Sequence, residues 1–395
     1  MRSTVVIGFL AAVAAGCGIS AGQVRVVTLE DTVGCGSSGI WVTVISRDRS
    51  TAGGAIWWDG HGAATSAAVW DLSTGLATTP GCHNGWVTSL SANGQVAGLS
   101  ERLEFSMGGG VWDRVAQTVE LLDDPIHIAI SGDGQRRVES NAFTNQTTLR
   151  DRASGAVIAV VPGLAGLTNH TGDVVWTTSH ALSPTGGLTQ VPLVTDKDLF
   201  FLRTMSSDGR VFGGGVLRNP PMQTQGLLSV DDETLVTSGT YLVSSSDRGL
   251  VRVTTTSFGW FGNYFIQTPR DGVLPAGEFI AREAPGIPQN ATNYRLVAVS
   301  PDGRGMVVNA VRSQTPGFDV TYYVEFDGSY LCDSIDFNRN QVFPEDQDVV
   351  DFFAVLAGAE CATCNDIDFN NNGVFPEDED VIAFFRVLAG GACTP

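Results

Sequence analysis

Asp336, Asn338 and Asn340 stand on alternate residues in the stretch DFNRNQVFPEDQDVVDFFAVLAG, and the alternation returns 32 residues later as Asp368, Asn370 and Asn372 in DFNNNGVFPEDEDVIAFFRVLAG. Carboxylate and amide oxygens at this spacing turn toward one loop centre, and such a donor set suits a hard dication, Ca2+ above all. Written as positions 1, 3 and 5 of a loop, they are followed at position 7 by Val342 or Val374, each offering a backbone carbonyl. A strict twelve-residue count closes on Gln347 or Glu379; the acid one place later, Asp348 or Asp380, is assigned here as the bidentate ligand. Gly373 at position 6 suits the positive φ of a sharp turn, where the first copy has Gln341.

The closing carboxylates need an element to hold them. Val349, Phe352, Phe353 and Leu356 follow helical spacing, as do Val381, Phe384, Phe385 and Leu388. Pro344 and Pro376 suit a first helical turn, and Gly358 and Gly390 suit a helix end. Each copy thus reads as a loop followed by an exit helix, half of an EF-hand. The segment from Cys332 to Pro395 has 13 acidic and two basic residues and carries −11 of the net −19, patterned rather than random. A balance this acidic argues against nucleic acid or an anionic membrane surface as partner.

Two such halves in tandem resemble a dockerin, and the Cys-framed DFNxNxVFPEDxD form is similar to the GC-type dockerins that end many bacterial extracellular proteins. The resemblance implies calcium-dependent folding of residues 331–395 and a cohesin-like protein receptor. Glu345, Asp346, Glu377 and Asp378 stand near where dockerins usually carry Ser or Thr, which is a departure from the pattern.

The other end of the chain reads as an export signal. MRSTVVIGFLAAVAAGCGISAG has an Arg, an apolar run and small residues, so residues 1–22 are expected to be a signal peptide, with lipoprotein processing at Cys17 as the alternative. The expected location is extracellular or at the cell surface, with no membrane span. The six remaining cysteines are even in number, as disulfides in an oxidising compartment require. Cys35 and Cys82 occupy matching places before Ser46 and Ser91 and are expected to pair. In the tail the 29-residue spans favour Cys332 with Cys361 and Cys364 with Cys393. CATC at 361–364 also has the form of a redox CxxC, without the βαβ pattern around it that such sites have.

Between these ends, residues 23–328 repeat a β-rich run, a Ser-x-Asp-Gly turn or relative, and a second β-rich run. Instances include SLSANGQVAGL, AISGDGQRRVE, TMSSDGRVFGG and AVSPDGRGMVV. Asp-Gly or Asn-Gly between apolar runs is a strong hairpin signal, because both turn residues tolerate positive φ. Seven such markers, from Arg49 to Gly303, recur about every 40 residues, which predicts an all-β chain folded as a seven-bladed β-propeller of four-stranded blades. A two-sheet sandwich is the alternative. With Trp70 and Trp112 before Asp, the pattern resembles HAF-type repeats and, more loosely, WD-type blades. The strand QVRVVTLE at 23–30 is expected to close the last blade, leaving no open edge.

No HExxH, GxSxG or Walker loop is present. Asp133, Asp208 and Asp302 read as turn formers, and the aromatics of GWFGNYF at 259–265 read as packing between blades or as a sugar platform. The reading that follows is a non-catalytic exported propeller attached through its tail. The alternative is an extracellular glycoside hydrolase or a carbohydrate-binding protein, with an extracellular glycan as ligand. A hydrolase would need two carboxylates across a cleft.

Overall fold

The Ser-x-Asp-Gly stretches at 131–134 and 300–303 close their hairpins with the same hydrogen bonds. Ser300 Oγ donates to Asp302 Oδ1 (2.6 Å), the Gly305 N–H donates back to Ser300 Oγ (2.7 Å), and Gly303 lies at φ 75°. Ser131 with Asp133 and Ser91 with Asn93 repeat the arrangement. These serines are buried, so their hydroxyls need both partners. Arg49 takes the glycine's place in the first turn at φ 57°. Its guanidinium reaches Asp302 (3.2 Å) and Glu325 (3.0 Å), two residues far away in sequence.

The computed structural model describes the chain apart from residues 1–23, 34–38, 58–64, 82–84, 103–106, 123–126, 142, 165, 191–198, 207–208, 210, 219–221, 230–234, 239–240, 257–261, 289–290, 292, 312–319, 344, 392 and 394–395. The expected signal peptide and the pair Cys35–Cys82 lie outside the described residues. Among the described residues the strands form seven four-stranded antiparallel sheets. Six are simple meanders, such as Gly39–Ile45, Thr51–Trp57, Thr65–Asp71 and Ala77–Thr78. The last is composite: Asn293–Val299, Gly305–Val311 and Val320–Glu325 are joined by Arg25–Thr28 from the other end of the chain. Arg25 stands opposite Glu325 in that ladder, and the two side chains pair at 2.6 Å. The closing strand is the one expected from QVRVVTLE.

Each sheet packs on the next, and the strand Gly39–Ile45 packs on Asn293–Val299, which brings the first sheet against the last. The apolar core lies between sheets rather than at one centre. Val42, Trp70, Val307 and Tyr323 join the first and last sheets; Val69, Val87, Ala97 and Trp112 join the first and second. Close approach needs glycine on the facing strands: a Cβ on Gly53 would lie 2.6 Å from Val87 Cγ1 of the next sheet. A ring of four-stranded antiparallel sheets packed face to face is a β-propeller. The turns are stitched into a belt, Asp48 N–H to Ala92 O, Ala92 N–H to Gly132 O and Asp133 N–H to His170 O.

Three α-helices occur among the described residues: α1 (Ala276–Glu283) after the sixth sheet, and α2 (Asp346–Leu356) and α3 (Asp378–Leu388) in the tail. None is long and apolar enough to cross a membrane. The tail helices begin at Asp346 and Asp378, two residues after the prolines expected to open them. Packing against the last sheets continues past Gly328. Tyr330 and Leu331 are buried, and Tyr330 packs on Phe279 of α1 (ring centroids 5.2 Å) and on Phe326 (5.6 Å). Its hydroxyl donates to Gly303 O at 2.5 Å. In other sheets that turn carbonyl is met from within the propeller, by Arg114 on Gly94, Arg152 on Gly134 and Trp176 on Gly209. In the last sheet the donor to that carbonyl is Tyr330, from beyond the final strand.

Candidate metal centre

The two tail repeats interlock. Asp333 N–H donates to Phe369 O (3.0 Å) and, 32 residues on, Asn365 N–H donates to Phe337 O (2.9 Å). The side chains cross likewise: Arg339 Nε to Asn365 Oδ1 (2.7 Å) and Asn371 Nδ2 to Asp333 Oδ1 (3.1 Å). Between them Phe352 and Phe384 stack at 4.3 Å, with Phe337 and Phe369 edge-on at 5.3 Å and 5.2 Å from their own helix's ring. The near-equal distances describe a local two-fold axis through the stacked pair. Of the two phenylalanines each helical stripe offers, only the first of each turns inward; Phe353 and Phe385 remain about 40% exposed.

This exchange corrects the expected disulfides. The structure joins Cys332 to Cys393 and Cys361 to Cys364, not Cys332 to Cys361 and Cys364 to Cys393. Both patterns respect the 32-residue period. The leading segment of each repeat, however, lies against the loop of the other, so Cys332 ends beside the close of the second repeat rather than of its own. The link over 61 residues ties the two ends of the tail together.

Each loop wraps its first carboxylate. Asp336 accepts the Asn340 N–H on Oδ1 (3.0 Å) and the Gln341 N–H on Oδ2 (2.8 Å); Asp368 Oδ2 accepts the Gly373 N–H (2.8 Å). The sharp turn falls at Gln341 (φ 67°) and Gly373 (φ 81°), the equivalent sixth positions. The Asn340 N–H also reaches Asn338 Oδ1 (3.1 Å), and the Asn372 N–H reaches Asn370 Oδ1 (2.9 Å). Val342 and Val374 follow, their N–H groups on Asn340 Oδ1 and Asn372 Oδ1 (2.7 Å each).

Asp348 and Asp380, in the first turns of α2 and α3, are fully buried. Asp348 Oδ1 faces the Asn338 N–H at 3.4 Å, and its Oδ2 has no hydrogen-bond partner. Asp380 faces the Asn370 N–H at 3.5 Å and accepts the Glu377 N–H at 3.3 Å. Burial raises the pKa of both carboxyls, with Asp336 adding repulsion at Asp348 and Asp368 at Asp380. Gln347 and Glu379, the strict twelfth positions, point elsewhere: Gln347 to Asp351 (2.7 Å) and Glu379 toward Arg386 (3.9 Å). Among the described residues no three His, Cys, Asp or Glu side chains gather as a metal cluster. Each loop supplies two carboxylates, and amide and carbonyl oxygens make up the rest.

That donor set fits a hard, oxygen-loving dication. A buried carboxylate oxygen without a partner is costly, and a cation is the natural counterpart. Sequence reasoning missed Glu345 and Glu377. Their carboxylates accept the side-chain amides of Asn340 and Asn372, which places two more acidic groups over the loops. The signal was their recurrence at equal distances before both helices.

Each tail repeat also leaves four large apolar side chains exposed. Val342, Phe343, Val350 and Phe353, with their counterparts Val374, Phe375, Ile382 and Phe385, are 40–60% exposed. The halves meet where Phe353 and Phe385 approach at 6.0 Å.

In the body, Asp133 and Asp302 serve their turns, while Asp208 lies outside the described residues. Of the aromatic stretch, 259–261 also lies outside; Tyr264 and Phe265 sit half-buried in the strand Tyr264–Thr268. His127 Nε2 is sealed from solvent, and burial lowers the pKa of its ring to about 4.

No family model matches the chain. No curated protein matches it either. Several solved structures resemble it in fold. The β-propeller domain of the trilobed protease from Pyrococcus furiosus, with an open velcro topology, is 8% identical at a TM-score of 0.48, over 73% of this chain and 98% of that one. The β-propeller domain of Cps50 (Swd1) from Myceliophteria thermophila is 12% identical at 0.48, over 73% and 96%. A chain of the mitotic checkpoint complex is 11% identical at 0.47, over 82% and 99%. Likeness at this level adds nothing to the topology above and carries nothing about activity.

Proposed function

We propose that the seven sheets are the blades of one seven-bladed propeller, exported and held in place by its tail. In this reading the tail is a dockerin-like module that binds two calcium ions and a cohesin-like protein receptor. Asp336, Asn338, Asn340, Val342 and Asp348 would hold one ion, and Asp368, Asn370, Asn372, Val374 and Asp380 the other, with Glu345 and Glu377 orienting the side-chain amides of Asn340 and Asn372. Calcium would supply the charge that each buried aspartate otherwise lacks and would fix each loop to its helix.

The observation that carries the reading is Asp348: a fully buried carboxylate whose Oδ2 has no partner, beside a loop of hard oxygen donors. The exposed phenylalanine face, inside a segment of net charge −11, suits a protein receptor with an apolar centre and a basic rim. The test is retention of the full chain on surface extract from producing cells, in calcium and in chelator. Retention is expected only with calcium, and it should be lost when Phe353 and Phe385 are both changed to Ser. Retention that ignores calcium would refute the proposal.

A further inference from the structure

The two bridges of the tail differ in a way their shared module does not require. Cys332 and Cys393 are 0% and 1% exposed and join the ends of the module. Cys361 and Cys364 are three residues apart, and Cys361 lies in an exposed run with Ala359, Glu360, Ala362 and Thr363. A link across three residues constrains the chain little, so structural bridging falls to the buried pair. The exposed sulfur is also the one with a donor. The Cys364 N–H points at Cys361 Sγ at 3.2 Å, and Thr363 Oγ1 lies 3.8 Å away. An N–H directed at sulfur favours its thiolate form.

We propose that Cys361–Cys364 is a thiol–disulfide exchange site that takes an external thiolate at Cys361. The attacking sulfur bonds to Cys361 Sγ, the Cys361–Cys364 bond breaks, and Cys364 leaves as a thiolate that picks up a proton from water. A second thiolate attacks the outer sulfur of the mixed disulfide and releases Cys361 as a thiolate. Two external thiols are thereby oxidised to one disulfide, and the protein bridge is reduced to a dithiol. Glu360 and Asp366 flank the site within the acidic tail, so the field favours thiols in cationic surroundings over anionic ones. The source is a small cationic thiol or a cysteine in a basic stretch of a partner protein.

The full chain, in calcium, is exposed to graded cysteamine, to glutathione and to a Lys-Cys-Lys peptide, then alkylated and mapped. Cys361 and Cys364 should be labelled roughly ten-fold or more ahead of Cys332 and Cys393, because buried sulfurs await opening of the module. At low ionic strength cysteamine and the peptide should each outpace glutathione, and salt should narrow the gap. A peptide faster than cysteamine assigns the site to a protein thiol; the reverse order assigns it to a small thiol. With Cys364→Ala, the free Cys361 thiolate should attack added cystamine, displacing cysteamine and holding the other half as a mixed disulfide, faster than it attacks oxidised glutathione. The proposal falls if both bridges open together, if labelling appears only with unfolding, or if glutathione is the fastest reagent.

Discussion

Tyr330 should hold up the body of the protein although it stands beyond the last strand. Its ring is fully buried against Phe279 and Phe326, and its hydroxyl meets Gly303 O at 2.5 Å. Tyr330→Phe removes the donor and leaves a turn carbonyl unmatched, a loss of about 1–2 kcal/mol. Tyr330→Ala also opens a cavity, and buried aromatic truncations cost about 3–5 kcal/mol. A chain ended after Gly328 should lose about as much as Tyr330→Ala, whereas one ended after Leu331 should recover most of it. Tryptophan fluorescence in denaturant reads the body alone, because all eight tryptophans lie at or before Trp260. If Tyr330→Ala unfolds within ~0.5 kcal/mol of the parent, or if the two truncations match, the junction contributes nothing to the propeller and the packing argument fails.

Other outcomes follow from the same physics. His127 is neutral in the fold, its pKa lowered to about 4 from about 6.5. Its contribution is therefore complete above pH ~6.5 and is lost as pH falls toward ~4, about 3 kcal/mol in all. His127→Gln should flatten that part of the stability-against-pH curve measured by denaturant titration. Gln341→Gly should relieve a positive-φ cost of up to ~1 kcal/mol and tighten calcium at the first loop up to about five-fold by calorimetry. Replacing Cys332 and Cys393 with Ser opens a 61-residue span and should cost the tail about 4 kcal/mol, read by helical circular dichroism.

Much of this was written in the chain, and the exceptions have physical causes. The closing strand was legible because an unpaired edge in a ring demands a partner and QVRVVTLE was the spare one. The strain at Gln341 was legible because its counterpart is Gly373. The disulfide pairing was not, since two symmetric patterns satisfy one period and only the crossing of Asp333 to Phe369 selects between them. Phe352 and Phe353 fit the same helical stripe, so adjacency in sequence hid which one faces the partner helix. Tyr330 belongs to no periodic element, and nothing local marks its place under Gly303. The role of Arg49 was equally hidden, because its partners Asp302 and Glu325 meet it only when the ring closes.

Calorimetric titration of the full chain with calcium, alongside Asp348→Asn with Asp380→Asn, tests the central claim most directly. The replacements keep shape while removing the buried charges, so the module should stay folded. The account predicts two sites in the parent and none of comparable affinity in the double variant. A parent that takes up no calcium, or a double variant that binds two ions as tightly as the parent, would contradict it.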